Sequence, residues 1–364
     1  MRVGMVCPYS LTMPGGVQGQ VLALARSMRR RGVEVRVLAP CDGPPPELFV
    51  TPLGNSLPTA SNGSIAPVAP DPAAQFRTIR ALWDEAFDVV HLHEPLAPGP
   101  TLTSLLLKPA PLLGTFHAAG SQSAYTVAAP AVRWGAARLD LRVAVSDDAR
   151  DLASEFLGGE YELLFNGIEI ERFATAEPWP TDGPTVLFVG RHETRKGLDV
   201  LLDALPRLPV DARIWVAGTG PHTEELRRRH TDERIEWLGR IDDEERDRRL
   251  AGADVFCAPS LGGESFGVIL LEAMAAGTPV VASDIPGYAK VATAPAPDGS
   301  VPVSPAAILV PPGDADALGS ALHDVLSDPE VARSQRDVGL DRVRPFDIET
   351  LAGLYLDRYE RLLA

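Results

Sequence analysis

The sequence predicts an α/β protein of two doubly wound parallel-sheet domains, and three observations carry this. The 364 residues exceed what one hydrophobic core usually organises, since domains run to roughly 100–200 residues. Short β-branched runs bounded by Gly, Pro or Asp alternate with helical patterns along the chain, the order that builds parallel sheets. The alternation also comes in two series, parted by a hinge-like segment from Gly167 to Asp182 that holds Pro178 and Pro180. Sheets of this type bind ligands outside the carboxyl ends of their strands, so two of them facing each other would place a cleft between those edges.

The first series reads Val3–Val6, Val35–Leu38, Val89–Leu92, Leu112–Thr115, Val143–Val145 and Leu163–Phe165 as strands. After the first of these, Leu22, Leu24, Ala25 and Met28 give a helix an apolar face. Arg29 to Arg31 then suit its C-terminus, where the helix dipole favours cations, and Gly32 stops it. Residues 40–72, rich in Pro, Gly and Ser, are too long for an ordinary connection and read as a functional loop. The second series reads Val186–Val189, Ile214–Val216, Ile235–Leu238, Val255–Ala258, Val280–Ala282 and Ile308–Val310. A last helix, about Ile348 to Leu363, carries Leu351, Leu354, Tyr355 and Tyr359 on one side.

With 45% hydrophobic and 23% charged residues the chain is globular rather than disordered. Its 49 acidic against 34 basic residues leave a net charge of −15, of which −12 falls on residues 173–364. Nucleic acid is therefore excluded as a general partner, because neutralising its phosphates needs a basic surface. Only Lys108, Lys196 and Lys290 are lysine. Three cysteines without paired spacing, Cys7, Cys41 and Cys257, argue for a reducing compartment and against structural zinc. No run reaches the ~18 apolar residues of a spanning helix, and no signal-peptide core is evident, so a cytoplasmic location is expected.

Three loops carry chemistry. Tyr9 through Gln18 joins the first strand to the first helix, where Gly15 and Gly16 let backbone approach a ligand and the helix start favours an anion; a plain tight turn is the alternative. Gly190 to Gly197 follows the first strand of the second sheet and brings Arg191 and Lys196, a cation pair able to neutralise a leaving diphosphate or else a solvated surface cluster. Gly262-Gly263-Glu264-Ser265-Phe266-Gly267 is the most specific: a glycine-flanked strand end opening a helix aims free amides at an anion. Glu272 comes eight residues after Glu264, about two turns along one helix face if the helix starts there. Helix capping by Glu264 and a surface position for Glu272 are the alternatives. His91 and His93 share a strand face beside Glu94, but no third metal ligand at a suitable spacing is evident. Asp314-Ala315-Asp316 follows Gly313 at a helix start, where capping accounts for it.

The Glu264/Glu272 spacing, the Arg191/Lys196 pair and the glycine loop resemble the retaining GT-B glycosyltransferases of family 4. Gly4-Met5-Val6-Cys7-Pro8-Tyr9-Ser10, Pro14-Gly15-Gly16-Val17-Gln18, His93-Glu94-Pro95, Thr115-Phe116-His117 and Gly262 to Gly267 resemble, within that family, the phosphatidylinositol mannosyltransferases that use GDP-mannose. The matches run from the first strand to about residue 285. The resemblance implies two Rossmann-like domains across a deep cleft: 1–170 for the acceptor, with a helix at about 346–364 packed back on it, and 171–345 for the nucleotide-sugar donor. It implies that Gly15 and Gly16 approach the donor diphosphate, that Arg191 and Lys196 hold its phosphates, and that Phe266, Gly267 and Val268 line it. Glu264 would contact the sugar hydroxyls, Glu272 the ribose and Asp243 the guanine edge, while His117 matches an essential histidine near the transferred sugar. Tyr9, Gln18, Asn62 and Ser64 fall to the acceptor. No tightly bound cofactor and no metal are implied, and no carboxylate nucleophile emerges.

Two departures bear on the acceptor. After Asn62-Gly63-Ser64 the inositol-lipid enzymes carry an arginine for the lipid phosphate, whereas Ile65-Ala66-Pro67 stands here. The stretch matching their basic membrane helix, Ala73 to Glu85, has only Arg77 and Arg80 as cations, worth about 1 kcal/mol each near an anionic surface. The loop between Arg191 and Lys196 is also one residue shorter than the family pattern, which leaves the sugar contact of Glu193 open. The expected activity is retaining transfer of mannose from GDP-mannose to an acceptor hydroxyl. The inositol of phosphatidylinositol, at the inner face of the plasma membrane, is the lead acceptor. A soluble cyclitol or natural product is the alternative acceptor, and a nucleotide-sugar-binding or epimerase-like protein the alternative class.

Overall fold

Strands buried on both faces read as unbroken apolar runs, and those runs build the central strands of two parallel sheets. In the computed structural model the described residues are 1–13, 15–61, 64–117, 129–264 and 266–364. The first nine strands are β1 (Arg2–Val6), β2 (Glu34–Ala39), β3 (Val50–Pro52), β4 (Leu57–Ser61), β5 (Ser64–Val68), β6 (Val89–His93), β7 (Leu112–Phe116), β8 (Leu141–Ala144) and β9 (Glu162–Leu163). Seven of them form a sheet in the order β3-β2-β1-β6-β7-β8-β9, every neighbouring pair parallel. Side chains alternate across it. Val3 and Met5 face the helices Gly16–Arg30 and Ile348–Leu363, while Val6, Val90 and Leu92 face the opposite core with Leu82 and Leu105. Gly4 is required on that second face, because a Cβ would stand 2.6 Å from the Phe87 ring.

The C-terminal helix is amphipathic in the way its spacing predicts: Leu351, Tyr355 and Tyr359 are buried, whereas Leu354 is only partly so. Glu349 in its first turn takes the guanidinium groups of Arg30 (2.5 Å) and Arg31 (3.3 Å) from the end of the Gly16–Arg30 helix.

The second sheet is formed by β10 (Thr185–Val189), β11 (Arg213–Ala217), β12 (Ile235–Gly239), β13 (Val255–Ala258), β14 (Val280–Ser283) and β15 (Ile308–Val310), in the order β12-β11-β10-β13-β14-β15 and again all parallel. Two units result: residues 1–167 with 348–364, and residues 168–347.

Residues 40–72 are not the single irregular loop expected from their composition. Val50–Pro52 adds a parallel edge strand beside β2, and β4 and β5 pair as an antiparallel hairpin in register from Leu57↔Val68 to Ser61↔Ser64. Proline hid both, since it removes a ladder donor and Pro58 stands opposite Pro67. The missed signal was Asn62-Gly63, the dipeptide that most favours a two-residue hairpin turn. Those two residues, like Pro14 and Ser265, lie outside the described ones.

Candidate active site

In each sheet the strand order reverses beside the first strand, between β10 and β13 in one and between β1 and β6 in the other. The loops leaving such paired strands diverge and open a crevice at their carboxyl ends.

In the second unit the two loops are stitched together by backbone. The Leu261 N–H donates to the Arg195 carbonyl at 2.8 Å. Gly197 has φ 65° and lies so near the Pro259 carbonyl that a Cβ would be 1.9 Å from its oxygen, so only glycine fits. This brings the short 3₁₀ turn Thr194–Lys196 against the glycine loop. Lys196 Nζ then donates to Glu264 Oε1 at 2.5 Å, and Arg195 Nη1 to the same oxygen at 3.0 Å. Arg195 Nε also lies 2.8 Å from Glu193, which has Arg191 at 3.7 Å. Three cations against two carboxylates leave one net positive charge. Arg195, which sequence reading passed over, links the cluster because it touches both carboxylates.

Glu264 and Glu272 do not share a helix face. The helix is Val268–Ala275, starting three residues after Ser265, because Gly267 takes φ 77° to pass Tyr288, whose ring would be 2.7 Å from a Cβ there. Glu264 therefore stays in the loop and caps nothing. The Leu270 N–H bonds to the Gly267 carbonyl, and the amides of the first turn, Val268 among them, have no acceptor within their own helix. Phe266 turns its ring inward against Phe346, centroids 5.8 Å apart.

Glu272 is no surface acid. Its side chain is 17% exposed with Arg246 Nε 4.0 Å away, and burial pushes its carboxyl above the usual range against the pull of that arginine. Arg246 also meets Asp243 (3.2 Å) and Asp247 (3.2 Å), and Arg172 joins Asp247 (2.5 Å) and Asp243 (3.5 Å). Asp243 and Glu272 thus enter one ionic network through Arg246. Asp242 rather than Asp243 caps the helix Asp243–Gly252, accepting from the Glu245 N–H at 2.8 Å. Asp314 caps Ala315–Ser327 in the same way, accepting from the Ala317 N–H.

In the first unit, Tyr9 bridges to Val68 at the foot of the β4–β5 hairpin, and the Ser10 N–H donates to the Pro67 carbonyl. Asp42 ties that foot down, accepting from the Ser10 hydroxyl (2.6 Å) and from the Ser56 N–H (2.6 Å) and hydroxyl (2.8 Å). Gln18 is buried and turned back to the Ser10 carbonyl, 3.5 Å from its Nε2. A Cβ on Gly15 would be 2.2 Å from Gln18 Oε1, so a larger residue there would displace the Gln18 side chain. Gly16, by contrast, faces open space. Asn62 is outside the described residues, and Ser64 is placed by its backbone only.

His117 follows β7. Its N–H donates to Glu94 Oε1 at 2.7 Å, and its Nε2 lies 3.0 Å from His93 Nδ1. His91 uses both ring nitrogens, on Tyr359 Oη and Thr115 Oγ1 at 2.7 Å each, so neither is turned to a shared ligand with His93. Among the described residues no three His, Cys, Asp or Glu side chains are placed to hold a metal ion. Burial pushes His91 and His117 down to about 3 and His93 well below its ordinary value, so all three imidazoles are neutral. The cysteines are buried and unpaired, with burial pushing the Cys7 thiol up to about 12. Among the described residues no helix is long and apolar enough to cross a membrane.

Comparison with known proteins places this geometry. Residues 14–172 match the family model described as Glycosyltransferase Family 4, and residues 183–328 that of glycosyl transferases group 1. The phosphatidyl-myo-inositol mannosyltransferase of Mycobacterium leprae is 41% identical over 372 aligned positions, covering 99% of this chain and 96% of that one. Among solved structures, sucrose-phosphate synthase from Thermosynechococcus elongatus has a TM-score of 0.75 at 21% identity, over 99% of this chain and 98% of that one. Anabaena Alr3699/HepE in complex with UDP and glucose has 0.73 at 19%, over 99% and 100%. Both share the fold. The chain belongs to glycosyltransferase family 4, a nucleotide-sugar-dependent family of hexosyl-transferring enzymes, and is similar along nearly its whole length to the phosphatidyl-myo-inositol mannosyltransferases.

Proposed function

We propose that the protein transfers mannose from GDP-mannose to the inositol of phosphatidylinositol, with retention at the anomeric carbon. The observation that carries the donor half is the Arg191–Glu193–Arg195–Lys196–Glu264 cluster at the strand-order reversal of the second unit, a positive spot in a unit of 19 basic and 31 acidic residues. Breaking the glycosidic bond to a diphosphate puts negative charge on the leaving oxygens. Arg191, Lys196 and the amides from Phe266 to Val268 are preorganised donors for it, which lowers the barrier without help from a metal. Glu264 is already occupied by two cations, which blunts it as a nucleophile and suits it to accept hydrogen bonds from sugar hydroxyls. Departure and attack on one face of an oxocarbenium-like centre then account for retention. Glu272 takes the ribose hydroxyls and Asp243 the base edge.

In the first unit, Gly15 and Gly16 serve the donor diphosphate and His117 the transferred sugar, while Tyr9, Gln18, Asn62 and Ser64 serve the acceptor. Gln18 acts by shaping the turn, because its side chain is spent on Ser10. The lipid acceptor rests on the relatives' name and on identity across the whole chain. One observation favours a second reading with a neutral soluble polyol: neither strand of the β4–β5 hairpin carries a lysine or arginine to meet a lipid phosphate. The deciding assay measures GDP release and product with GDP-mannose and either phosphatidylinositol vesicles or free myo-inositol. Turnover with the vesicles at least tenfold above that with free inositol is expected. Equal or greater turnover with the free polyol rejects the lipid, and preference for UDP-glucose rejects the donor.

A further inference from the structure

His117 is held by a ring that has not yet been given a task. His93 is 1% exposed, its Nδ1 meets His117 Nε2 at 3.0 Å, and its own Nε2 is buried without a partner. His91 stacks on it with centroids 4.1 Å apart, but both nitrogens of His91 are engaged by Tyr359 and Thr115 and cannot serve it. With both rings neutral, one proton occupies the His93–His117 contact, and there are two ways to place it. If His117 Nε2–H donates, neutral His93 carries its own hydrogen on Nε2, a buried N–H with nothing to accept it. If His93 Nδ1–H donates, the unpartnered Nε2 of His93 is only a bare lone pair. Orphaned buried N–H groups are the rarer and costlier defect, so the second arrangement is the favoured one.

We propose that His93 is a positioning residue that sets the tautomer of His117: its Nδ1–H donates to His117 Nε2, which keeps the His117 proton on Nδ1 and makes that atom a hydrogen-bond donor to an oxygen of the bound sugar rather than a base. This rests on the assignment of His117 to the transferred sugar. The surroundings hold the pair in register from both sides. Glu94, in the left-handed region at φ 51°, accepts the backbone N–H of His117, and the Tyr359–His91–Thr115–Tyr355 chain braces the ring stacked on His93. A histidine whose orientation and tautomer are set by a second group is a recurring device, and the wrong tautomer is costly to turnover.

The test is the two-bond proton–nitrogen spectrum of the protein labelled with ¹⁵N in its imidazoles, recorded without substrate at neutral pH. His117 is expected with its proton on Nδ1. In His93→Asp, whose carboxylate can only accept, the proton moves to Nε2, and transfer falls by roughly ten- to a hundredfold mainly in kcat. In His93→Asn, whose side-chain amide supplies a donor, both the Nδ1–H signal and most of the rate return. A native spectrum with the His117 proton on Nε2, or a tautomer unchanged in His93→Asp, overturns the proposal. Full turnover in His117→Ala overturns instead the sugar assignment, and the substrate-free spectrum keeps the two failures apart.

Discussion

The two sheets reverse their strand order at equivalent places, yet the chemistry at the two reversals is opposite. Beside β10 and β13 five charged side chains interlock within 4 Å contacts, on loops sewn together by backbone. Beside β1 the strand β6 and the end of β7 carry neutral, buried imidazoles, of which His91 is tied to Tyr359 of the C-terminal helix and His93 to His117. The overall charges run the other way: the unit with the cationic site has 19 basic against 31 acidic residues, and its counterpart 15 against 18. Local placement, not net charge, decides what each site attracts. One suits a diphosphate, and the other suits hydroxyls that need hydrogen bonds without charge.

The contrast can be strained hardest with acid. Unfolded histidines take up a proton near the ordinary 6.5, whereas folded His91 and His117 do so only near 3. Between those values the unfolded chain binds more protons, so stability is lost as pH falls through 6.5, and the loss saturates near 3. For these two groups it amounts to something of the order of 5 kcal/mol by pH ~4.5. The second unit has His192, pushed by burial only to about 4, and the more exposed His230. Hydrogen exchange at pH 5 should therefore deprotect β6 and β7 more than β10 and β13. Equal deprotection would erase the difference drawn between the two sites.

Substitution at the cationic site sharpens the same contrast. Lys196→Ala should lower kcat by about 10²–10³-fold, the scale of one lost transition-state donor, with a smaller change in melting temperature because Arg195 still pairs with Glu264. Near-normal turnover would return the loop to a solvated cluster. Smaller effects come from two glycines. Gly197→Ala drives a Cβ into the Pro259 carbonyl at positive φ and should cost roughly 1–3 kcal/mol of stability. Gly16→Ala meets open space in a helix and should stabilise by up to about 1 kcal/mol while raising the donor KM. An unchanged KM there would mean that nothing approaches that backbone. Denaturant melts with donor titrations measure both.

Much of the architecture could be read from local pattern. Apolar runs such as Val186–Val189 and Val255–Ala258 lie within a residue of the strands they form, because a strand buried on both faces needs an apolar residue at every position. The loops bearing Arg191, Lys196 and Glu264 were visible as glycine-rich strand ends. The hairpin was lost among prolines although Asn62-Gly63 announced it. Arg195 was passed over since nothing in Thr194-Arg195-Lys196 says which cation faces which carboxylate.

By itself the sequence determined two parallel sheets, the loops at their carboxyl ends and the residue types those loops carry. Such features depend on side-chain periodicity and on glycine and proline at fixed offsets, which act over a few residues. Tertiary structure alone decided which side chains meet: Lys196 with Glu264 across 68 residues, His91 with Tyr359 across 268, and His93 with His117. Those meetings depend on which strands become neighbours and in what register, and a parallel crossover sets both by burial in the whole sheet. The protonation of the histidines follows from the same burial, which no stretch of sequence displays on its own.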